Sequence, residues 1–386
     1  MRQTEKHAIV AEKAFDGAAV ADNVGVIIEG PRILAVVPRD ALPANMPRYA
    51  LPDGACLVPG FIDVQVNGGG DVLFNDEPTP DGIRAIATAH RRFGTTALLP
   101  TLITDAPEIM PSAVAAVEAV IDREPSILGI HLEGPFLSSQ RPGVHAVRHI
   151  RSPSTDDLAL LTAPRRSVTV VTLAPECVPA GFIRALAGAG VRVCLGHSMA
   201  SYAETRAAMA EGLAGFTHLF NAMPTLASRD PGPIAAALES ESAWFGMIVD
   251  GVHVHPATLR LALRGLARPM LVTDAMPPAG GRDMGFKLYG EDIMVQDGRC
   301  TRNDGTLAGS ALDMASALRN CVRLLDVPLE TALHFVSTNP AEFLGLGHWL
   351  GRLAPGYRAD MVALDPTAVE VLDTWVAGTR AGGCDR

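Results

Sequence analysis

Eight apolar runs of strand length alternate with helix-like stretches through the middle of the chain, and no other feature restricts the fold as tightly. The runs are Phe61–Val66, Thr95–Leu99, Ile127–Leu132, Val168–Leu173, Val191–Leu195, Gly215–His218, Phe245–Val249 and Met270–Thr273. Stretches with helical periodicity separate most of them, including Asp81–Phe93, Ala106–Arg123, Phe182–Ala189, Ser201–Glu211 and Pro256–Ala267. Strands alternating with helices make a parallel sheet, and eight is the number that closes a (β/α)8 barrel. A doubly wound open sheet can also hold eight strands, but it would not bring the ends of the first, third, fifth, sixth and eighth to one point. The expected class is therefore α/β, a (β/α)8 TIM-like barrel.

Both chain ends carry a different texture. Residues 1–57 read as short strands (His7–Val10, Val24–Glu29, Arg32–Val37), the last two joined by a Gly30-Pro31 turn, and strands return at Ala359–Leu364 and Val369–Val376. Segments 1–57 and 351–386 are expected to pair as one small β-sandwich domain around a barrel spanning 58–350. After the eighth run come a Gly/Pro-rich loop at Pro277–Gly285, a β-hairpin at Phe286–Arg299, and helices at Leu312–Leu325 and Leu329–Leu344.

The chemistry gathers where the runs end. In a parallel barrel those ends share one rim, so their side chains can reach a common site. Glu133 closes the third run, His197 follows the fifth, His218 ends the sixth and Asp274 follows the eighth. Alone, each has an ordinary structural role: Glu133 caps a turn, a histidine satisfies a core hydrogen bond, and Asp274 caps a helix ahead of Pro277-Pro278. Together, a carboxylate, two imidazoles and a further aspartate form a hydrolytic metal centre, with Glu133, His197 and His218 as ligands and Asp274 as general base. No local HExxH-type motif is present, so the inference rests on register. The first run offers Gln65 and Asn67 on one face, and neutral amides are poor transition-metal ligands. One metal is therefore expected, with Gln65 on a water or substrate.

A second ring of residues points to an anion pocket: Arg229 after the sixth run, His253 after the seventh and His145 after the third. His7, His90, His149, His334 and His348 read as structural. The net charge of −10 argues against a nucleic-acid or membrane-surface partner while leaving room for a small anionic substrate. Six scattered cysteines (Cys56, Cys177, Cys194, Cys300, Cys321, Cys384) form no CxxC pair and read as reduced thiols. The charged N-terminus is not a signal peptide, and no apolar run is long enough to span a bilayer, so a cytoplasmic location is expected.

These motifs carry a resemblance. Pro59-Gly60-Phe61-Ile62-Asp63 and Gly351-x-Leu353-x-Pro355-Gly356-x-x-Ala359-Asp360-Met361-Val362 resemble the amidohydrolase superfamily. His131-Leu132-Glu133-Gly134-Pro135, Gly196-His197-Ser198, Thr217-His218-Leu219-Phe220-Asn221-Ala222-Met223, Asp250-Gly251-x-His253 and Val272-Thr273-Asp274-Ala275 together resemble its N-acetylglucosamine-6-phosphate deacetylases. The resemblance implies hydrolysis of the acetamide of N-acetyl-D-glucosamine 6-phosphate in aminosugar catabolism or cell-wall recycling. It makes Glu133, His197 and His218 the ligands of one divalent ion, zinc first and iron, cobalt or manganese as alternatives. It makes Asp274 the acid/base and His145 the group that polarises the acetyl carbonyl. Asn221, Ala222, Arg229 and His253 would hold the sugar phosphate, and Leu307, Ala308 and Gly309 would line the acetamide pocket. Arg229 would come from the neighbouring subunit, implying a homodimer. The rivals are deacetylation of N-acetylgalactosamine 6-phosphate or of an N-acyl amino acid, and a barrel scaffold without catalysis.

Overall fold

In the computed structural model, residues 6–296, 298–302 and 304–381 are described. Residues 1–5, 297, 303 and 382–386, with Cys384 among them, lie outside the described residues.

The eight expected runs form one parallel sheet in chain order: β1 Phe61–Val66, β2 Thr95–Ile103, β3 Gly129–Glu133, β4 Val168–Leu173, β5 Arg192–Leu195, β6 Leu213–Phe216, β7 Trp244–Met247 and β8 Arg268–Leu271. The last strand returns to the first through a parallel bridge, Val66 to Ala275, and the Asp274 amide donates to Gln65 O at 3.0 Å. That closure brings the ends of β1 and β8 side by side. β1, β2 and β3 are buried along their whole length, as strands lined by helices outside and side chains inside must be.

β6 and β8 end two residues earlier than their apolar patterns suggest, at Phe216 and Leu271. The last apolar positions already belong to the turn, so His218 and Asp274 stand on loops just beyond the strands. Helix starts follow local chemistry. Ser201 caps the helix Tyr202–Glu211 through a reciprocal bond with Glu204, and Thr79 caps Pro80–Arg91 with proline in the first turn. The expected helix Leu329–Leu344 is two, Leu329–Val336 and Thr338–Phe343, broken at Ser337 (φ −132°, ψ −77°). An unbroken helix would set the Pro340 ring against the Val336 carbonyl, whereas the break places Pro340 in a first turn.

The chain ends share one eight-stranded mixed sheet, in which Cys56–Pro59 joins the N-terminal strand His7–Phe15 to the C-terminal strand Met361–Asp365. Period-2 alternation divides its faces. Cys56, Val58, Val362 and Leu364 pack on the barrel core, while Leu57, Met361, Ala363 and Trp375 share a second cluster with Val26, Ile28 and Ile33. Residues from both ends of the strand order thus cover one another. The crossing from sheet to barrel is the single residue Gly60, where a Cβ would stand 2.2 Å from Thr96 Oγ1.

The hairpin expected at Phe286–Arg299 is the core of a four-stranded antiparallel sheet, Gly285–Leu288, Glu291–Gln296, Arg299–Thr301 and Leu307–Ser310. Its apolar side, Leu288, Ile293, Cys300 and Ala308, shares a cluster with Ile103, Val144 and Met276 at the barrel mouth. The five described cysteines are free.

Candidate metal centre and active site

Three donor atoms converge at the C-terminal mouth of the barrel. Glu133 Oε1 lies 3.1 Å from His197 Nε2 and 3.0 Å from His218 Nε2, and the two imidazole nitrogens are 3.1 Å apart. All three residues are buried. His197 Nδ1 donates to Arg141 O at 2.8 Å; a carbonyl only accepts, so the proton sits on Nδ1 and the Nε2 lone pair is free. Burial alone would push the Glu133 carboxyl up, but the close His197 and His218 rings outweigh it and hold it well below the usual range. An anionic carboxylate and imidazole lone pairs meeting at one buried point fit a divalent metal ion.

Local backbone aims these groups. His197 (φ +49°), His218 (φ +32°) and Asp274 (φ +51°) all adopt the left-handed conformation just past their strands. For a residue with a Cβ this costs about 1–2 kcal/mol. The turn swings each side chain back over the barrel axis.

Asp274 is held by amides from β1 and its continuation. Asn67 Nδ2 donates to Asp274 Oδ1 at 2.6 Å, and Gln65 Nε2 donates to the same oxygen at 3.2 Å and to Glu133 Oε2 at 3.1 Å. Gln65 therefore puts an N–H between two carboxylates. With Oδ1 receiving two donors, Oδ2 is the Asp274 atom free to exchange a proton. Burial, reinforced by the Glu133 charge, pushes the Asp274 carboxyl up to about 6.

His145 is buried 3.9 Å from Glu133 Oε1. Its Nδ1 accepts from Thr104 N at 3.2 Å and faces Thr104 Oγ1 at 2.8 Å. A backbone N–H can only donate, so the proton of the neutral ring is on Nε2. Burial, followed by the nearby His197, holds the His145 pKa well below its usual value and keeps the ring neutral. Beneath the site His131 is locked between Val64 O (2.9 Å) and Thr172 Oγ1 (2.7 Å). Asp63, pushed up to about 7 by burial, accepts from Thr273 Oγ1 at 2.6 Å and so fixes the turn before Asp274.

One cavity of about 230 Å³ joins these groups. Glu133, His145, His197, His218, Asn221, Ala222, His253, Asp274, Leu307 and Gly309 line it. Gln65 lies behind Glu133 and Asp274. Ala308 is fully buried and turns away into the apolar cluster below. Arg229 is exposed and does not line the cavity of its own chain. Gly309 (φ +63°) is needed as glycine, since a Cβ would meet Met276 Cγ at 2.6 Å and Asp274 O at 3.0 Å.

Sequence reasoning missed Asn67 as the Asp274 partner, Asp250, which holds His253 Nδ1 at 2.6 Å, and Thr104 behind His145. Asn67 was visible by alternation from Gln65. Thr104 follows an apolar run longer than the one recognised, and only the extra residues of β2 bring it to the rim.

A closed parallel barrel with a carboxylate, two imidazoles and a buried acid at its mouth defines a metal-dependent hydrolase. Comparison with known proteins agrees: the model of the amidohydrolase family matches residues 56–384. The chain belongs to that family. It is 44% identical over 339 residues to the N-acetylgalactosamine-6-phosphate deacetylase of a Shewanella species, covering 87% of this chain and 85% of the relative. N-acetylglucosamine-6-phosphate deacetylase from Pasteurella multocida superposes with a TM-score of 0.93 at 33% identity, covering 97% of this chain and 99% of that one. A mutant of the Mycobacterium smegmatis N-acetyl-D-glucosamine-6-phosphate deacetylase, solved with N-acetyl-D-glucosamine 6-phosphate, gives 0.89 at 35% identity, covering 98% and 99%.

Proposed function

We propose that this chain hydrolyses the acetamide of N-acetyl-D-glucosamine 6-phosphate to D-glucosamine 6-phosphate and acetate, with Glu133, His197 and His218 holding one divalent ion per subunit. Zinc suits that donor set first, and iron, cobalt and manganese suit it next. When bound, the ion supplies Lewis acidity toward a water and the acetyl carbonyl. The chain's own groups do the rest. His145 Nε2–H donates to the carbonyl oxygen as it gains negative charge. Asp274 Oδ2 takes a proton from the attacking water and delivers it to the sugar nitrogen, because an amide nitrogen departs only as an amine. His253, oriented by Asp250, binds the phosphate with the Asn221-Ala222 turn, and the partner subunit's Arg229 completes that site in a homodimer. Leu307 and Gly309 flank the acetamide.

The observation that carries this reading is the pairing of three convergent metal donors with a buried acid whose free oxygen faces the same cavity. The bundle of left-handed turns that builds it would be a costly way to make a catalytically silent scaffold. A cytoplasmic location fits the free thiols, and no described helix is long and apolar enough to cross a membrane. The 4-epimer, N-acetylgalactosamine 6-phosphate, is the second reading, favoured by the 44% identity to an enzyme named for it.

The test is acetate release from both phosphorylated epimers and from unphosphorylated N-acetylglucosamine, with metal content measured on the same sample. We expect about one metal per chain and strong preference for a phosphorylated sugar. Equal turnover without phosphate would remove the anion pocket.

A further inference from the structure

The four-stranded sheet inserted after β8 touches the active site at one place that the proposed mechanism leaves unused. Tyr289 sits in the tight turn between Gly285–Leu288 and Glu291–Gln296, with φ +51°, followed by Gly290 at φ +87°. Two successive left-handed residues are what a two-residue hairpin turn of this type requires, and asparagine or glycine is the usual first occupant. A tyrosine there is strained, so its side chain must contribute elsewhere.

The Tyr289 hydroxyl donates to Thr104 O, and the same hydroxyl oxygen faces the Ala146 backbone N–H. Thr104 is the residue whose N–H and hydroxyl meet His145 Nδ1, and Ala146 is covalently next to His145. The sheet grips the loop a second time through Arg302, whose Nη2 donates to Val144 O at 3.3 Å. The Arg148 guanidinium lies 5.6 Å from the Tyr289 ring centroid and covers it from outside.

We propose that Tyr289 is a positioning residue for His145: its hydroxyl ties the end of β2 to the His145 loop and keeps the imidazole Nε2–H aimed into the cavity. This rests on the reading of His145 as the group that polarises the carbonyl. Thr104 fixes which nitrogen carries the proton, and Tyr289 fixes where Thr104 and His145 stand relative to each other. Neither Tyr289 nor Arg302 lines the cavity, so the effect runs through His145 and not through the substrate.

The test is a double-mutant cycle on metal-loaded enzyme with Tyr289→Phe, His145→Gln and the pair. Loss of one hydrogen bond of this kind predicts a fall in kcat of about five- to tenfold for Tyr289→Phe, with KM changed less than about twofold. His145→Gln should lose about 100-fold or more, and adding Tyr289→Phe to it should cost nothing further. Imidazole ¹⁵N NMR gives a readout apart from turnover, in which Tyr289→Phe should move the His145 nitrogens away from a single Nε2–H tautomer. Unchanged kcat in Tyr289→Phe, or an equal loss in the His145→Gln background, overturns the proposal while leaving the role of His145 intact. Near-normal turnover of His145→Gln alone overturns the role of His145 itself. If Tyr289→Phe melts well below the parent enzyme, Arg302→Met, which frees the Val144 end of the same loop, serves in the same cycle.

Discussion

The metal-donor cluster and the loop that carries Arg229 border the same barrel mouth, yet they are built in opposite ways. Glu133, His197 and His218 are buried, sit at or just beyond strand ends, and meet at about 3 Å. Arg229 is exposed on a loop between β6 and the helix Gly232–Leu238, outside the cavity its own chain forms. On the proposed reading, the bond-breaking groups are complete within one chain, whereas binding of the anionic end would need Arg229 from a second one. Rigid strands fix positions to fractions of an ångström, which proton transfer requires; charge attraction to a phosphate tolerates a longer and looser reach.

Damage to the donor cluster should give the largest effects. Glu133→Gln keeps the size of the side chain but removes the anion between two imidazoles. We expect loss of bound metal together with a fall in turnover of about 10⁴ or more, checked by elemental analysis beside kinetics. Asp274→Asn should separate holding from proton transfer. Metal content should stay at the parent level while kcat falls about 10³-fold, because an amide cannot shuttle the proton. Near-normal turnover of Asp274→Asn would break the division of labour among the four residues.

The loop should respond differently. Arg229→Ala should raise KM about 10- to 100-fold with kcat nearly kept, and it should leave turnover of the unphosphorylated sugar unchanged. If the arginine crosses a subunit interface, mixing Arg229→Ala with Asp274→Asn subunits should restore one intact site per mixed dimer. Absence of any recovery on subunit exchange would place Arg229 in its own chain's site.

The same contrast governs what the sequence disclosed. All eight barrel strands were legible because apolar runs of four to six residues recur between helix-like stretches, and closure told which ends would meet. Glu133, His197, His218 and Asp274 followed from register. The left-handed turns at His197, His218 and Asp274 were not legible, since nothing in Gly196-His197-Ser198 or Thr217-His218-Leu219 dictates φ. Those turns are imposed by contacts formed only after closure, such as Ser138 N to His197 O at 2.8 Å and Leu219 N to Gly246 O at 2.9 Å. Tyr289 was invisible for a related reason, as its role depends on an inserted sheet returning to the end of β2 beside Thr104. The position of Arg229 in a loop was legible, but its distance from the cavity was not, because local sequence does not encode how far a loop stands from a rim.

The smallest expected effect tests a charge outside both regions. Arg151 pairs with Asp157 in two bonds, 2.5 and 2.7 Å, and Ser154 N and Oγ each donate to the same carboxylate at 2.7 Å. Burial pushes this carboxyl up, but Arg151 and the Ser154 cap overcome it and hold its pKa at about 2, below the ordinary 3.8. A carboxyl whose folded pKa is depressed stabilises the fold above its unfolded pKa and loses that contribution as the pH falls through the folded value. The window is therefore pH 4 down to pH 2. The full shift would correspond to about 2 kcal/mol, but Arg151 is 30% exposed and solvent screens the pair, which leaves about 1 kcal/mol. Asp157→Asn should accordingly lower the denaturation free energy by about 1 kcal/mol at pH 7 and at pH 5, with the gap to the parent closing below pH 4. Metal content and KM should not move. Arg151 also donates its backbone N–H to Pro135 O, two residues past Glu133. A change in metal content in Asp157→Asn would therefore show that the rigidity of the donor cluster extends further down this loop than the hydrogen bonds around Glu133 require.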